Sequence, residues 1–336
     1  MPHALLPRMA RLHRSLVPTP FHHLDALSAF LDARIWCKRD DLTGFGFGGN
    51  KTRKLDFLIG EAVAAGATDI ITTGGVQSNF CRMTAAYAAR EHLPCHLVLG
   101  GTHAATSRSG NLMLDALFGA KLSLVEGDDW NEWEDAAASL AQALRNHDRK
   151  PWHMPIGGST PVGAMGYVHG MLELLADAEH AGVEITDIVH ASSSGGTQAG
   201  LLAGAALAGW QGRIHGIAVA KSEAQLADEI RSLRSETLAL TEWRGDAGAT
   251  SPEVMVDERW IGEAYAVPSR EGREAQRLFA RREGIVLDDV YTAKAAAALV
   301  GMCRNGEFDD DATVVFLHTG GSPQLFSTDA RAEVPV

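Results

Sequence analysis

The stretch DIVHASSSGGTQAGLLAGAALAGWQGRIHGIAVA, residues 187–220, decides the fold class. An apolar β-rich run (187–191) leads into a Ser/Gly turn, an Ala/Leu-rich helical run (201–208) and a second β-rich run (213–220). That is one complete strand–helix–strand unit, which requires parallel strands joined by a crossover helix. Its turn, SSSGGTQAG (192–200), has a chemical reading. Successive N–H groups of Gly195, Gly196 and Thr197 can face one anion, and hydroxyls of Ser192, Ser194 and Thr197 can add to them. No lysine follows as a P-loop requires, so a smaller phosphate ester fits better than a nucleoside triphosphate. The same residues also suit a plain turn with N-capping.

Similar alternation fills the chain. Strands are expected at 35–38, 69–73, 96–99, 121–125 and 313–318, and helices at 52–65, 79–91, 167–181, 199–208, 271–283 and 292–305. The pattern implies a parallel sheet covered by helices on both faces, with ligands at the carboxyl ends of its strands. Gly-rich turns fall at such junctions: GFGFGGNK (44–51), TTGGVQSN (72–79), IGGSTPVG (156–163) and HTGGSP (318–323). The stretch 235–251 reads as a loop-rich connection, with 245–251 its most flexible part.

The bulk numbers remove several classes of function. Of 336 residues, 46% are hydrophobic and 21% charged, as in a folded globular protein. A net charge of −12 without a long basic run argues against nucleic acid as a partner. No apolar stretch is long enough for a bilayer, and 1–20 lacks the apolar core of a secretory signal. Four scattered cysteines and fourteen scattered histidines give neither a disulfide framework nor metal-ligand spacing. A reducing cytoplasm and no metal are the expectation.

Lys51 opens a helical run after two glycines, in GGNKTRK (48–54). Burial and the neighbouring cations Arg53 and Lys54 are expected to lower its pKa and make the amine a nucleophile towards an aldehyde. A solvated basic helix start explains the same residues. Gly44, Gly46 and Gly49 match G-x-G-x-x-G, but the charged segment before them and Glu61 on a helix do not suit a dinucleotide. In GGVQSN (74–79), Asn79 is expected to cap a helix, or its amide to reach a phenolic oxygen while adjacent N–H groups bind a carboxylate. Ser78 lies in no nucleophile elbow.

Together these residues carry a resemblance. The chain resembles the 1-aminocyclopropane-1-carboxylate (ACC) deaminase/D-cysteine desulfhydrase family of fold-type II pyridoxal-phosphate enzymes. The similarity runs from KRDDLTGFGFGGNKTRKL (38–55) to HTGGSPQLF (318–326). Between them lie GGVQSN-x-x-R-x-T (74–84), PIGGST-x-x-GA-x-GY (155–167), AS-x-S-x-GTQAG (191–200) and EGIVLDDVYTAKA (283–295). The resemblance implies two open twisted, mostly parallel α/β sheets, a large domain of 1–52 plus 163–336, a small domain of 53–162, and a homodimer. It implies pyridoxal 5'-phosphate held covalently by Lys51, which also moves the substrate's α-proton. It makes Lys54 a phosphate-side contact, Asn79 the partner of the ring hydroxyl and Ser78 the substrate-binding serine. Ser194, Gly195, Gly196 and Thr197 form the phosphate cradle, and Tyr265 and Tyr291 face the substrate.

Two positions choose the reaction. ACC deaminases resemble one another in VYE and HLGG, whereas this chain has Val290-Tyr291-Thr292 and His318-Thr319-Gly320-Gly321. The residue after the tyrosine, Thr292 here, is expected near the pyridine nitrogen, where a glutamate would strengthen the ring as an electron sink and a threonine hydroxyl supports a weaker one. Thr292 and Thr319 resemble the D-cysteine desulfhydrase pattern, so β-elimination from D-cysteine or another β-substituted alanine is the expectation. L-Cysteate sulfo-lyase and ACC deaminase activities are the near alternatives. A nicotinamide-dependent oxidoreductase and a non-catalytic pyridoxal-phosphate carrier are the distant ones. Phe80-Cys81 and Ser159-Thr160 depart from the usual family residues and bear on the choice of substrate.

Overall fold

A computed structural model describes residues 2–101, 109–245 and 252–327. Among them, six strands form one sheet in the order β1 (Phe21–His23), β2 (Arg34–Lys38), β10 (Thr313–Leu317), β7 (Asp187–Ser192), β8 (Arg213–Ala218) and β9 (Met255–Asp257). Four form a second: β5 (Lys121–Glu126), β4 (Cys95–Gly101), β3 (Asp69–Gly75) and β6 (Pro151–Met154). Only β1 with β2 runs antiparallel among the described pairs. The central strands β10 and β3 are buried nearly end to end. That is why they read as continuous apolar runs rather than as alternation.

The expected helices appear as α2 (Lys51–Ala64), α3 (Asn79–Arg90), α6 (Pro161–Ala181), α7 (Gly196–Ala208), α9 (Arg270–Glu283) and α10 (Thr292–Arg304). Helix α6 starts six residues before the expected 167, because Pro161 suits a first turn and the Thr160 hydroxyl accepts from Gly163 N at 3.1 Å. Helices α1 (Asp25–Leu31), α4 (Gly110–Leu117), α5 (Trp130–Arg145) and α8 (Glu223–Ala239) were not expected from the pattern. Helix α8 corrects the loop expected over 235–251, since 235–239 are helical. Its charged surface hides a buried stripe of Leu226, Ile230, Leu233 and Leu238. Of the segment expected to be most flexible, 246–251 lie outside the described residues.

Glycines let three helices close up beneath the site. A Cβ at Gly166 of α6 would strike the Arg53 carbonyl of α2, and one at Gly204 of α7 would sit 2.7 Å from Met171 Cβ of α6. Arg53, only 2% exposed, then locks α2 in place. It donates to Asp40 at 2.8 Å through Nε and Nη2, and to Glu173 at 2.8 Å through Nη1 and Nη2. Lys38 Nζ reaches the same Glu173 at 2.6 Å, and the Tyr167 hydroxyl donates to Asp40 at 2.6 Å. Each charge of this cluster is thus paired, which burial requires.

Candidate active site

Lys51 is the first residue of α2, and its approach is pinned at several points. Gly49 has φ +117° and lies so close to Thr319 that a Cβ would come within 3.0 Å of its carbonyl oxygen. Asn50 N donates to that carbonyl at 2.9 Å, and Asn50 Nδ2 donates to Thr197 Oγ1 at 3.0 Å. One dipeptide therefore ties α2 to the end of β10 and to the first turn of α7. Burial lowers the Lys51 ammonium to about 8. The expected help from Arg53 is corrected, because Arg53 is engaged with Asp40 and Glu173. Lys54, also lowered, by burial first and then by Lys51, donates to Gly157 O at 2.8 Å and Ser159 Oγ at 3.3 Å.

A cavity opens around Lys51 at the carboxyl ends of the parallel strands, between the two sheets. It is walled by Ser78, Asn79, Ser194, Gly195, Gly196, Thr197, Tyr265, Tyr291 and Thr319 among others. The structure thus brings together ten of the twelve residues singled out above. Lys54 stands behind the Ser194–Thr197 turn. Thr292 is turned away from the wall, and its hydroxyl donates to Asp288 Oδ2 at 2.6 Å while accepting from Asp288 N at 2.9 Å.

The turn after β7 forms an anion cradle. Gly195 takes φ +77°, and α7 begins at Gly196, which puts its positive dipole end at the cavity wall while Gly196 N itself donates to Ser194 O at 3.0 Å. Ser159, which the sequence analysis linked to the choice of substrate, packs against this turn. Its hydroxyl donates to Ser194 Oγ at 2.8 Å and accepts from Gly196 N at 3.3 Å. A Cβ at Gly196 would fill the space 2.5 Å from Lys54 Nζ and 2.7 Å from Ser159 Oγ.

Opposite, Ser78 and Asn79 follow β3. The cap of α3 is Ser78 rather than Asn79: its Oγ accepts from Cys81 N at 3.2 Å, while Asn79 is the first helical residue. Asn79 lines the cavity from that position. The hydroxyls of Tyr265 and Tyr291 meet at 2.6 Å, and burial raises both phenols, so both stay protonated at neutral pH. Asp288 sets Tyr291 by accepting from the N–H groups of Val290, Tyr291 and Thr292. Trp130 and Trp133 stack with ring centroids 6.4 Å apart and roof the cavity, a role that two tryptophans in an acidic amphipathic helix did not reveal.

The G-x-G-x-x-G match is not a dinucleotide turn. It lies on a 3-10 turn, Phe45–Phe47, and the strands on either side of it, β2 and β3, belong to different sheets. No group of three His, Cys, Asp or Glu among the described residues could hold a metal ion. No described helix is long and apolar enough to cross a membrane.

Residues 13–320 match the model of the family described as pyridoxal-phosphate dependent enzyme. Among solved structures, the chain is similar to an ACC deaminase homologue, with 34% identity over 97% of this chain and 96% of that one and a TM-score of 0.87. It is also similar to a fungal L-serine ammonia-lyase from Rhizomucor miehei (18% identity, 91% and 94% covered, TM-score 0.65). A hydrogen sulfide-producing enzyme from Fusobacterium nucleatum is a third (17%, 91% and 96%, TM-score 0.63). For these last two the likeness is one of fold. The cavity itself fits a phosphorylated aldehyde. The cradle at α7 suits a phosphate, Lys51 offers an amine, and the buried Ser192 Oγ lines the wall with no hydrogen-bond partner in the protein.

Proposed function

The chain belongs to the family of pyridoxal-phosphate-dependent enzymes, and on that premise we propose that it is a β-elimination lyase converting D-cysteine, or another small β-substituted amino acid, with water to pyruvate, ammonia and the released β-substituent. Bound at Lys51, the cofactor supplies a covalent handle for the substrate amine and an electron sink for the adjacent carbon. The rest of the chemistry falls to side chains. Lys51 Nζ, with an amine that burial brings near physiological pH, takes the α-proton. The Ser78 hydroxyl and the first N–H groups of α3 hold the substrate carboxylate. Asn79 donates to the ring hydroxyl oxygen. The Ser194–Thr197 cradle, backed by Lys54 and Ser159, holds the phosphate. The paired phenols of Tyr265 and Tyr291 deliver a proton to the departing β-substituent.

One observation carries the choice of reaction: no carboxylate stands among the described residues that wall the cavity. Thr292, expected beside the ring nitrogen, is absent from that wall and instead holds Asp288 and hence Tyr291, so Thr319, which is on the wall, is the neutral partner assigned to the nitrogen in this reading. A neutral partner supports a weaker electron sink, which suits loss of a thiolate better than opening of a cyclopropane. We further propose the division into 1–52 plus 163–336 and 53–162, and a homodimer in a reducing compartment. Its cysteines Cys37, Cys81, Cys95 and Cys303 are free, as that compartment requires.

Keto-acid release from D-cysteine, L-cysteine, L-cysteate, D-serine, β-chloro-D-alanine and ACC tests the reading. D-Cysteine and β-chloro-D-alanine are expected to turn over fastest. Faster turnover of L-cysteate or ACC would replace the proposed substrate. Borohydride reduction and peptide mapping should place a pyridoxyl group on Lys51, and no keto acid from any substrate would leave only a cofactor carrier.

A further inference from the structure

Asn79 owes its orientation to a buried residue from another helix. Asn111, in the first turn of α4, is fully buried. Its Nδ2 donates to the Gln77 carbonyl oxygen at 2.7 Å and to Asn79 Oδ1 at 3.0 Å. Its Oδ1 accepts from Arg82 Nη1 at 3.3 Å, and its backbone N–H donates to Gln77 Oε1 at 2.8 Å. Two of these partners have fixed polarity. A backbone carbonyl only accepts, and a guanidinium only donates. Turning the Asn111 amide over would set its oxygen against a carbonyl and its NH2 against a cation. Its polarity is therefore forced, and it must offer a hydrogen to Asn79. Asn79 must in turn answer with its oxygen, which leaves its NH2 as the group presented to the cavity.

We propose that Asn111, held by Arg82 and the Gln77 carbonyl, is a positioning residue that makes Asn79 a hydrogen-bond donor towards the cofactor's ring hydroxyl oxygen. This rests on the reading of Asn79 given above. Arg82 is itself anchored, since Nη2 donates to Gly48 O at 3.0 Å in the turn that leads to Lys51. The same cation thus braces the two residues that flank the ring. Asp115, whose carboxyl burial raises to about 8, lies near Arg82 and completes the surroundings.

The test uses holoenzyme with Asn111→Leu, Asn111→Asp and Asn79→Leu. It reads the pH midpoint of the bound cofactor's visible band and the cofactor's dissociation constant. A donor to the ring oxygen stabilises its anionic form, so losing the donor raises the midpoint. Asn79→Leu and Asn111→Leu are each expected to raise it by about one pH unit and to weaken retention about tenfold. Asn111→Asp keeps the volume and the Arg82 partner, but it can only accept from Asn79. It should turn the Asn79 oxygen to the ring and raise the midpoint at least as far, and it carries the test if Asn111→Leu does not fold. A shift in Asn79→Leu with none in either Asn111 variant overturns the positioning role. No shift in Asn79→Leu overturns instead the reading of Asn79 on which it rests. A neutron map of the unsubstituted holoenzyme should show the Asn79 amide hydrogens on the cavity side. Hydrogens on the Asn111 side overturn the inference whatever the variants do.

Discussion

The hydroxyl oxygens of Tyr265 and Tyr291 lie 2.6 Å apart although 26 residues separate them in the chain. One must donate to the other, which leaves one phenolic hydrogen free to point into the cavity. Tyr291 is placed by the Asp288 turn, and Tyr265 by a loop whose Ala264 carbonyl accepts from buried Lys294 at 3.0 Å. The pair is thus held from two separate segments rather than being two independent aromatic walls.

If that proton goes to the leaving group, its value depends on the leaving group. Tyr291→Phe is expected to lower kcat for D-cysteine roughly 100-fold. The loss should be much smaller with β-chloro-D-alanine, because chloride departs without a proton. Equal losses on the two substrates would assign the pair to positioning instead.

Capture of the cofactor by the apoprotein needs the neutral amine of Lys51. Burial lowers that amine from 10.5 to about 8. The neutral fraction grows as pH rises through the folded value, so the rate of capture should climb through a midpoint near 8 and level off above it. Stopped-flow absorbance with added pyridoxal phosphate measures this. A midpoint near the ordinary lysine value would mean that the amine is solvated.

Gly196 separates cofactor binding from folding. In Gly196→Ala the atoms nearest the new methyl are at the ends of the Lys54 and Ser159 side chains, which can move aside. Thermal stability of the apoprotein should change little, while the cofactor dissociation constant should rise about tenfold or more as the cradle fills. Equilibrium dialysis and calorimetry read the two effects separately.

Glu173 tests the charge network beneath the site. Arg53 and Lys38 hold its carboxyl down at about 2, against burial, from an ordinary 4.5. A lowered carboxyl stabilises the fold above its unfolded pKa and loses that contribution as pH falls towards 2. Glu173→Gln should cost about 3 kcal/mol at pH 7 by leaving buried cations underpaired. It should also flatten the fall in stability between roughly pH 4.5 and 2. Urea unfolding at several pH values measures both.

Much of this molecule could be read from the chain before folding. The β/α alternation, the glycine turns at strand ends and six helices follow from periodicity and turn chemistry, which act over a few residues. The position of Lys51 at a helix start and the cradle after β7 are local in the same sense. Helix α8 was missed because charges on its outer face obscured a buried stripe that only a neighbouring layer makes visible.

What the chain does not announce is which partner each polar group takes. Arg53 lies two residues from Lys51, yet it answers to Glu173, 120 positions away. Thr292 turns from the cavity because Asp288 accepts its proton, and Ser159 joins a cradle whose other members begin 35 residues later. Asn111 reaches Asn79 across 32 residues. Local sequence determined where strands, helices and tight turns form, since those depend on backbone preferences and apolar spacing. Tertiary structure alone decided which hydroxyls, amides and charges face the cavity, because a buried polar group must find a partner and folding chooses it from segments far apart in the chain.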